Sequence, residues 1–117
     1  MDRAIQKSRA EQTYTLFKGL GDPSWLKNFN VGDTYVDKGF GSYSLDIKKA
    51  YQCLDFENPV VLELELERGM NALYIDEAEY EVLCPRDITY EIKKINRNYL
   101  SNGENRIAVY KIKILKE

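Results

Sequence analysis

The sequence predicts a single domain over residues 1–117 of the α+β class, mainly β, in which two small sheets pack together with short helices. Three observations lead to this prediction. Six or seven short segments are rich in β-branched, aromatic or alternating apolar residues, and Gly, Pro, Asn or Asp residues separate them. Two segments have the spacing of short helices. The length of 117 residues and the hydrophobic fraction of 44% suit one domain with a modest core.

The first half of the chain alternates between short elements and turns. Gly19 to Pro23 interrupt the first strand, and Asp22 stands where the N-cap of a helical turn is expected. Asp46 or Ser44 is expected to open the next helix. The expected elements are an amphipathic helix over residues 1–12, a strand over Thr13–Lys18, a helical turn over Ser24–Phe29, extended segments over Thr34–Val36 and Phe40–Ser44, and a helix over Ile47–Leu54.

The segment Val60–Glu67 has the clearest strand pattern in the chain. Its apolar residues at even positions are expected to face one way, and Glu63, Glu65 and Glu67 the other. Further strands are expected over Ala72–Ile75, Tyr80–Cys84, Ile88–Ile95 and Arg106–Leu115, with a turn-rich segment over Asn96–Asn105.

The composition excludes several kinds of site. The chain has no histidine, which removes His-based acid–base catalysis, Ser-His-Asp triads and most zinc or iron sites. Cys53 and Cys84 lack metal-type spacing and are expected to be buried thiols in a reducing cytosol. The N-terminus lacks the apolar core of a secretory signal, and no stretch suits a membrane span, so a cytoplasmic protein without a membrane partner is expected.

The charges are distributed unevenly along the chain. With 17 basic and 19 acidic residues the net charge is −2, which does not favour a nucleic-acid partner. Acidic residues dominate from Asp55 to Glu81, and basic residues dominate from Arg86 onward. We interpret the acidic and the basic segment as solvated strand faces. We expect Lys111, Lys113 and Lys116 to protect an exposed edge strand against aggregation.

Glu79 and Glu81 form a pair of carboxylates that could carry chemistry. If Tyr80–Cys84 is extended, its alternate residues, Tyr80 included, point inward, and the two glutamates share a polar face about 6–7 Å apart. One carboxylate could stabilise a nearby cation while the other orients or deprotonates a nucleophile. Glu63, Glu65 and Glu67 have the same spacing in a solvated face, so the spacing alone assigns no function.

Three segments follow one another in the order of a known set of motifs. An aromatic-Arg-Gly-Leu motif is matched by Phe17-Lys18-Gly19-Leu20, and a Gly-Phe-x-Ser-Thr-Ser-Leu motif by Gly39-Phe40-Gly41-Ser42-Tyr43-Ser44-Leu45. A Glu-x-Glu motif followed by Val-Leu-Leu-Pro-Arg is matched by Glu79-Tyr80-Glu81-Val82-Leu83-Cys84-Pro85-Arg86. Over roughly residues 2–95 the chain thus resembles the mono-ADP-ribosyltransferases of the Arg–Ser–Glu type, as in binary-toxin enzymatic components and bacterial and phage exoenzymes.

The resemblance implies a fold with a cleft for NAD, which is a substrate, and a reaction without a metal. The bond between nicotinamide and ribose breaks, and a side chain of a protein, with arginine favoured, attacks the ribose carbon. Glu81 would be the catalytic glutamate, Glu79 would contact or activate the acceptor, and Ser42 would orient Glu81. The residues that would bind NAD are Lys18, Gly19, Phe40, Ser42, Tyr43 and Ser44.

Two positions depart from the family motifs. Lys18 stands where the family has arginine, and Tyr43 where it has threonine. Lysine offers phosphate a point charge, whereas arginine offers a planar fork of donors. The resemblance further implies a compact form without most of the family's helical lobe, encoded by a phage or bacterium as a toxin or effector that modifies host proteins in the cytoplasm. The alternative is a protein-binding module that keeps the fold without the reaction.

Overall fold

A computed structural model describes residues 12–39, 41–52, 54, 58–70, 74–76, 80–102 and 105–116. None of the helical segments in these ranges has the length and apolar composition needed to span a membrane. The described elements, in chain order, are β1 (Tyr14–Gly19), a 3-10 turn (Ser24–Leu26), β2 (Thr34–Asp37), β3 (Gly41–Ser44), α1 (Ile47–Tyr51), β4 (Val60–Leu66), β5 (Tyr74–Asp76), β6 (Glu81–Cys84), β7 (Ile88–Asn102) and β8 (Asn105–Lys116).

Local sequence signals account for the start of both helical segments. The Asp46 carboxylate accepts a hydrogen bond of 2.9 Å from the Lys48 backbone N–H and caps α1, as expected. The Asp22 carboxylate accepts a bond of 3.1 Å from the Ser24 N–H, but the N-cap of the 3-10 turn is Pro23, so the prediction of Asp22 as the N-cap is wrong. The predicted N-terminal helix covers residues 1–12, of which residues 1–11 lie outside the described residues.

The turn-rich segment predicted over Asn96–Asn105 belongs instead to a long hairpin, so that prediction is wrong. β7 continues to Asn102, and β8 begins at Asn105. The pairing of the two strands shifts register three times, including once between Asn96 and Leu100. Such irregularities bend and twist a strand, which lets a polar, turn-like sequence remain extended.

The prediction of two separate sheets is also wrong, because the eight described strands are hydrogen-bonded neighbours in one sheet. Their order is β2-β7-β8-β4-β1-β3-β6-β5, with β4 and β8 parallel. A group of five strands that ends at β1 meets a group of three that begins at β3. Phe17 and Ser44 form the registered pair that joins the two groups.

The sheet curls so that its two groups pack face to face. The ring of Tyr43 in β3 lies 6.5 Å from the ring of Tyr90 in β7, although β8, β4 and β1 stand between these strands in the sheet. A two-layer packing therefore arises within one sheet. The inner face carries the larger core, which includes Leu16, Leu26, Leu62, Leu64, Leu66, Val82, Cys84, Ile88, Tyr90, Ile92 and Ile112.

A smaller apolar cluster on the outer face attaches α1 to the sheet. Ala50 packs there with Val61 and Ile107, and Phe17 is partly buried against them. Val61 alternates with Val60 and Leu62, which belong to the inner core, so β4 is buried on both faces at this end.

The acidic and basic segments of the chain lie side by side in β4 and β8. The Lys111 ammonium lies 3.6 Å from the Glu63 carboxylate, and that of Lys113 lies 3.6 Å from Glu65 and 2.9 Å from Glu67. The expectation that these lysines protect an edge is wrong, because β8 lies between β7 and β4. Each exposed pair contributes little to stability, but together the charges favour this register over one that opposes like charges.

Four aromatic rings, which we call the aromatic column, run from the surface into the core. Trp25 is 42% exposed and lies 4.9 Å from Tyr35, Tyr35 stacks on Tyr90 at 5.4 Å, and Tyr90 contacts Tyr43. The hydroxyls of Tyr35 and Tyr90 are buried and have no hydrogen-bond partner among the described residues. Burial raises the pKa of Tyr35, Tyr43 and Tyr90 above the ordinary value of 10.0.

These buried phenols predict a loss of stability in alkali. Unfolding lets them ionise near pH 10, whereas the folded protein keeps them protonated, so the folded state binds more protons above that pH. The free energy of unfolding should be unaffected by these groups below about pH 9 and should fall above about pH 10, by up to about 1.4 kcal/mol per pH unit for each phenol. Urea denaturation across this range measures the slope.

Tyr90→Phe should make the alkaline decline shallower, because it removes one of the buried phenols. The control is Tyr80→Phe, because the Tyr80 side chain is 51% exposed. An alkaline slope in Tyr90→Phe as steep as that of the wild type would contradict the assignment.

Candidate active site

A cavity opens where β1 and β3 separate. Beyond the pair Phe17 and Ser44, the opposing residues are Lys18 and Tyr43 and then Gly19 and Ser42, and neither of these is a registered pair. The cavity has a volume of about 370 Å³, which is in the usual range for small-molecule sites. Its walls come from β1, β3, α1 and the start of β6. They are formed by Phe17, Lys18, Gly19, Ser42, Tyr43, Ser44, Lys49, Ala50, Tyr80 and Glu81.

Gly19 lets α1 pack directly on the end of β1. A Cβ atom at this position would collide with the backbone carbonyl of Ala50. The motif glycine therefore has a packing reason that the sequence did not reveal, since nothing in it indicates that α1 returns to β1. The contact sets the position of α1 and so of the cavity wall that Lys49 and Ala50 form.

Ser44 ties β3 to the residue that precedes Glu81. Its hydroxyl donates a hydrogen bond of 3.0 Å to the Tyr80 carbonyl and accepts one of 3.0 Å from the Asp46 N–H. The Leu45 N–H donates a second bond of 2.7 Å to the same carbonyl. Because a hydroxyl has a single proton to donate, Ser44 is committed to the backbone and cannot also donate to a carboxylate.

Tyr80 does not point inward, so that prediction is wrong. Its φ of 57° lies in the left-handed region, and its side chain is 51% exposed at the cavity. The alternation expected for Tyr80–Cys84 begins only at Glu81, where β6 starts, and Val82 and Cys84 are buried as predicted. The two hydrogen bonds to the Tyr80 carbonyl hold this costly conformation in place.

Ser42 and Glu81 lie on the same face of neighbouring strands. Glu81 is directly opposite Ser44, and Ser42 is opposite Leu83, so Ser42 and Glu81 are diagonal neighbours at about 7–8 Å between backbones. A glutamate side chain spans that separation. Both residues are exposed to the cavity, and the described residues include no hydrogen-bond partner for the Ser42 hydroxyl. Of the two serines in β3, Ser42 is therefore the one whose hydroxyl is not already used by the backbone.

Lys18 and Tyr43, the two departures from the family motifs, contact each other. The Lys18 ammonium lies 5.6 Å from the centroid of the Tyr43 ring, within the range of a cation–π interaction. Tyr43 is only 3% exposed and ends the aromatic column.

The structure collects six of the sequence-predicted site residues at this cavity and adds others. Phe40 and Glu79 lie outside the described residues, so their places in the site stay predictions. Sequence reasoning missed Phe17, Lys49, Ala50 and Tyr80 as wall residues. Tyr80 could have been identified from the sequence, because it lies inside the Glu-x-Glu motif. The positions of Lys49 and Ala50 at the cavity could not, because they depend on where α1 packs.

A second cavity, of about 550 Å³, contains none of the motif residues. It lies beside the 3-10 turn and the start of β4 and is lined by Asp22, Pro23, Ser24, Leu26, Lys27, Asn58, Pro59, Val60, Arg97, Ala108 and Tyr110. Across the described part of the chain, no three Cys, Asp or Glu side chains group closely enough to hold a metal ion.

The chain matches the family model of the ADP-ribosyltransferase exoenzyme over residues 1–116. No curated protein matches the chain. Among solved structures, Plx2a, an ADP-ribosyltransferase toxin from Paenibacillus larvae, is similar with a TM-score of 0.76 at 22% identity, over 99% of this chain and 68% of that chain.

Two further solved structures were determined with bound small molecules. C3stau2 from S. aureus, solved with NAD, has a TM-score of 0.71 at 21% identity, over 99% of this chain and 68% of that chain. The ADP-ribosyltransferase Vis in complex with agmatine has a TM-score of 0.67 at 19% identity, over 92% of this chain and 51% of that chain. The chain thus has the fold of these three proteins while spanning about two thirds of Plx2a and C3stau2 and about half of Vis.

Gly19→Ala tests the contact between β1 and α1. The added methyl group must displace the Ala50 carbonyl, so we expect a loss of about 1–3 kcal/mol in the free energy of unfolding. Urea denaturation measures it. The matched control is Gly39→Ala, where an added Cβ meets only an ordinary contact with Asp37, and little loss is expected. Equal stability of the two variants would contradict this account of Gly19.

Proposed function

Because the chain belongs to the ADP-ribosyltransferase exoenzyme family, we propose that it is an NAD-dependent mono-ADP-ribosyltransferase that modifies an arginine side chain of a protein. The observation that carries the proposal is the gathering of Gly19, Ser42 and Glu81 around one cavity of suitable size. NAD in the C3stau2 structure supports the choice of dinucleotide. Agmatine ends in a guanidinium group, so its presence in the Vis structure supports arginine as the acceptor.

Glu81 is proposed to stabilise the ribose as it becomes positively charged. When the bond between the ribose C1′ and the nicotinamide nitrogen breaks, the electron pair leaves with nicotinamide, which departs neutral. A carboxylate held beside C1′ favours the oxocarbenium-like transition state. Glu81 faces the cavity and forms no ion pair with the described residues, so its charge is available for this role.

Ser42 is proposed to orient the Glu81 carboxylate. Of the two serines in β3, Ser44 already donates its proton to the Tyr80 carbonyl, and Ser42 keeps its own. Ser44 acts instead through the backbone, since it fixes the residue immediately before Glu81. Gly19 and the other residues at the gap between β1 and β3 expose backbone groups to which the nicotinamide amide can bind.

Glu79 is proposed to serve the acceptor. A carboxylate on the acceptor side could hold a guanidinium group and take the proton that its nitrogen loses on forming the new bond to C1′. A host protein is the proposed target, and the chain would act as a toxin or effector.

Glu81→Gln tests the catalytic assignment. The amide keeps the size of the side chain but removes the negative charge, so kcat should fall at least about 100-fold with little change in thermal stability. Transfer of label from tagged NAD to lysate proteins measures the rate. The control is Glu65→Gln, because Glu65 is exposed on β4 and pairs with Lys113, away from the cavity. Unchanged transfer by Glu81→Gln, or a folded wild type that never cleaves NAD, would contradict the proposal; the latter outcome favours the binding module.

Glu79→Gln tests the role proposed for the acceptor side. Hydrolysis of NAD in the absence of acceptor should stay within about 3-fold of the wild type, whereas transfer to agmatine should fall at least about 10-fold. Chromatography of nicotinamide and ADP-ribosylagmatine gives both rates from one reaction. A parallel fall in hydrolysis and transfer would count against Glu79 as an acceptor residue.

A further inference from the structure

Lys18 carries a positive charge that the described residues do not neutralise. The ammonium groups of Lys111 and Lys113 contact glutamates of β4, but Lys18 has no carboxylate partner among the described residues. The Lys18 ammonium instead lies over the Tyr43 ring, 5.6 Å from the ring centroid. Lys18 is partly buried and lines the cavity, so an anionic ligand there would meet a cation that has lost part of its hydration.

The ring beneath this ammonium is held firmly in place. Tyr43 is 3% exposed, and its ring packs at 53° against Tyr90, which stacks on Tyr35 at an interplanar angle of 29°. A Cβ atom at Gly41 would lie 2.9 Å from the Tyr43 ring, so the absence of a side chain there leaves the ring its space. Tyr43 is therefore a fixed surface on which the flexible lysine chain can rest.

A neutral aromatic ring and a carboxylate both attract a cation, but they differ in how much of its positive charge remains for a ligand. A carboxylate cancels the charge of the ammonium, whereas the negative face of an aromatic ring attracts it and leaves the charge in place. The lysine also loses conformational freedom before a ligand arrives, which reduces the entropy lost on binding.

We propose that Tyr43 is a positioning residue, whose ring presents the Lys18 ammonium to the pyrophosphate of NAD in the cavity. The inference rests on the proposed function, because it requires that NAD binds there. It adds that Tyr43 positions the Lys18 ammonium, so that the two residues act as one unit.

Calorimetric titration with phosphate-bearing and phosphate-free ligands tests Lys18. Lys18→Met should raise the Kd for NAD and for ADP-ribose about 10-fold or more and leave the Kd for nicotinamide riboside, which has no phosphate, within about 2-fold. An unchanged Kd for NAD, or an equal loss for all three ligands, would overturn the inference.

Variants of Tyr43 test the coupling. Tyr43→Phe keeps the ring and should leave the Kd for NAD unchanged, whereas Tyr43→Leu should raise it about 2- to 5-fold. In the Lys18→Met background the same Tyr43→Leu change should have no further effect, because no ammonium remains to be positioned. An equal effect of Tyr43→Leu in both backgrounds would mean that Tyr43 is merely structural and would overturn the coupling.

A spectroscopic measurement covers the case in which Tyr43→Leu does not fold. The ε-methylene protons of Lys18 should be shifted upfield by the ring in the wild type and in Tyr43→Phe, and resonances at the positions of an exposed lysine would overturn the inference. The two proposals fail differently. A wild type that does not bind NAD overturns both, whereas a wild type that binds NAD as tightly as Lys18→Met overturns this one alone.

Discussion

The pairing of Phe17 with Ser44 is the contact on which the site depends. It joins a five-stranded group to a three-stranded group, and the strands separate just beyond it. β1 is paired along its whole length with β4 on its other side, so it cannot move to close the gap. If β1 and β3 paired along their whole length, no gap would be left between them for the cavity. If they did not pair at all, the carboxylate of β6 would have no fixed place relative to β1.

Different forces hold the walls of this gap. On one side, close packing of Gly19 against the Ala50 carbonyl positions α1. On the other, Ser44 and Leu45 hold the Tyr80 carbonyl and thereby a left-handed residue directly before Glu81. Strained backbone persists only where surrounding contacts determine it, and here those contacts come from β3. The hydroxyl of Ser44 is thus used for the backbone, whereas that of Ser42 has no hydrogen-bond partner among the described residues.

The curled sheet connects the surface, the core and the cavity. The bent hairpin of β7 and β8 brings Tyr90 against Tyr43, and the aromatic column extends from there to Trp25. Lys18 and Tyr43 are the two positions at which the chain departs from its family's motifs, and they lie in contact. A change at either one alters the surroundings of the other, so they are better understood together than as two separate departures.

Local patterns in the sequence determined the elements and the order of the motifs. The alternation of β4 and the Asp46 cap could be recognised because each depends on near neighbours in the chain, whereas Gly19, Ser42 and Glu81 were identified from the resemblance to family motifs. Tertiary contacts decided the rest. A single sheet instead of two depends on one pair of residues far apart in sequence, and the outward Tyr80 depends on hydrogen bonds from β3. Lys111 and Lys113 face glutamates because β8 lies parallel to β4. The alternation of apolar and charged residues along each strand does not indicate which strand will be its neighbour.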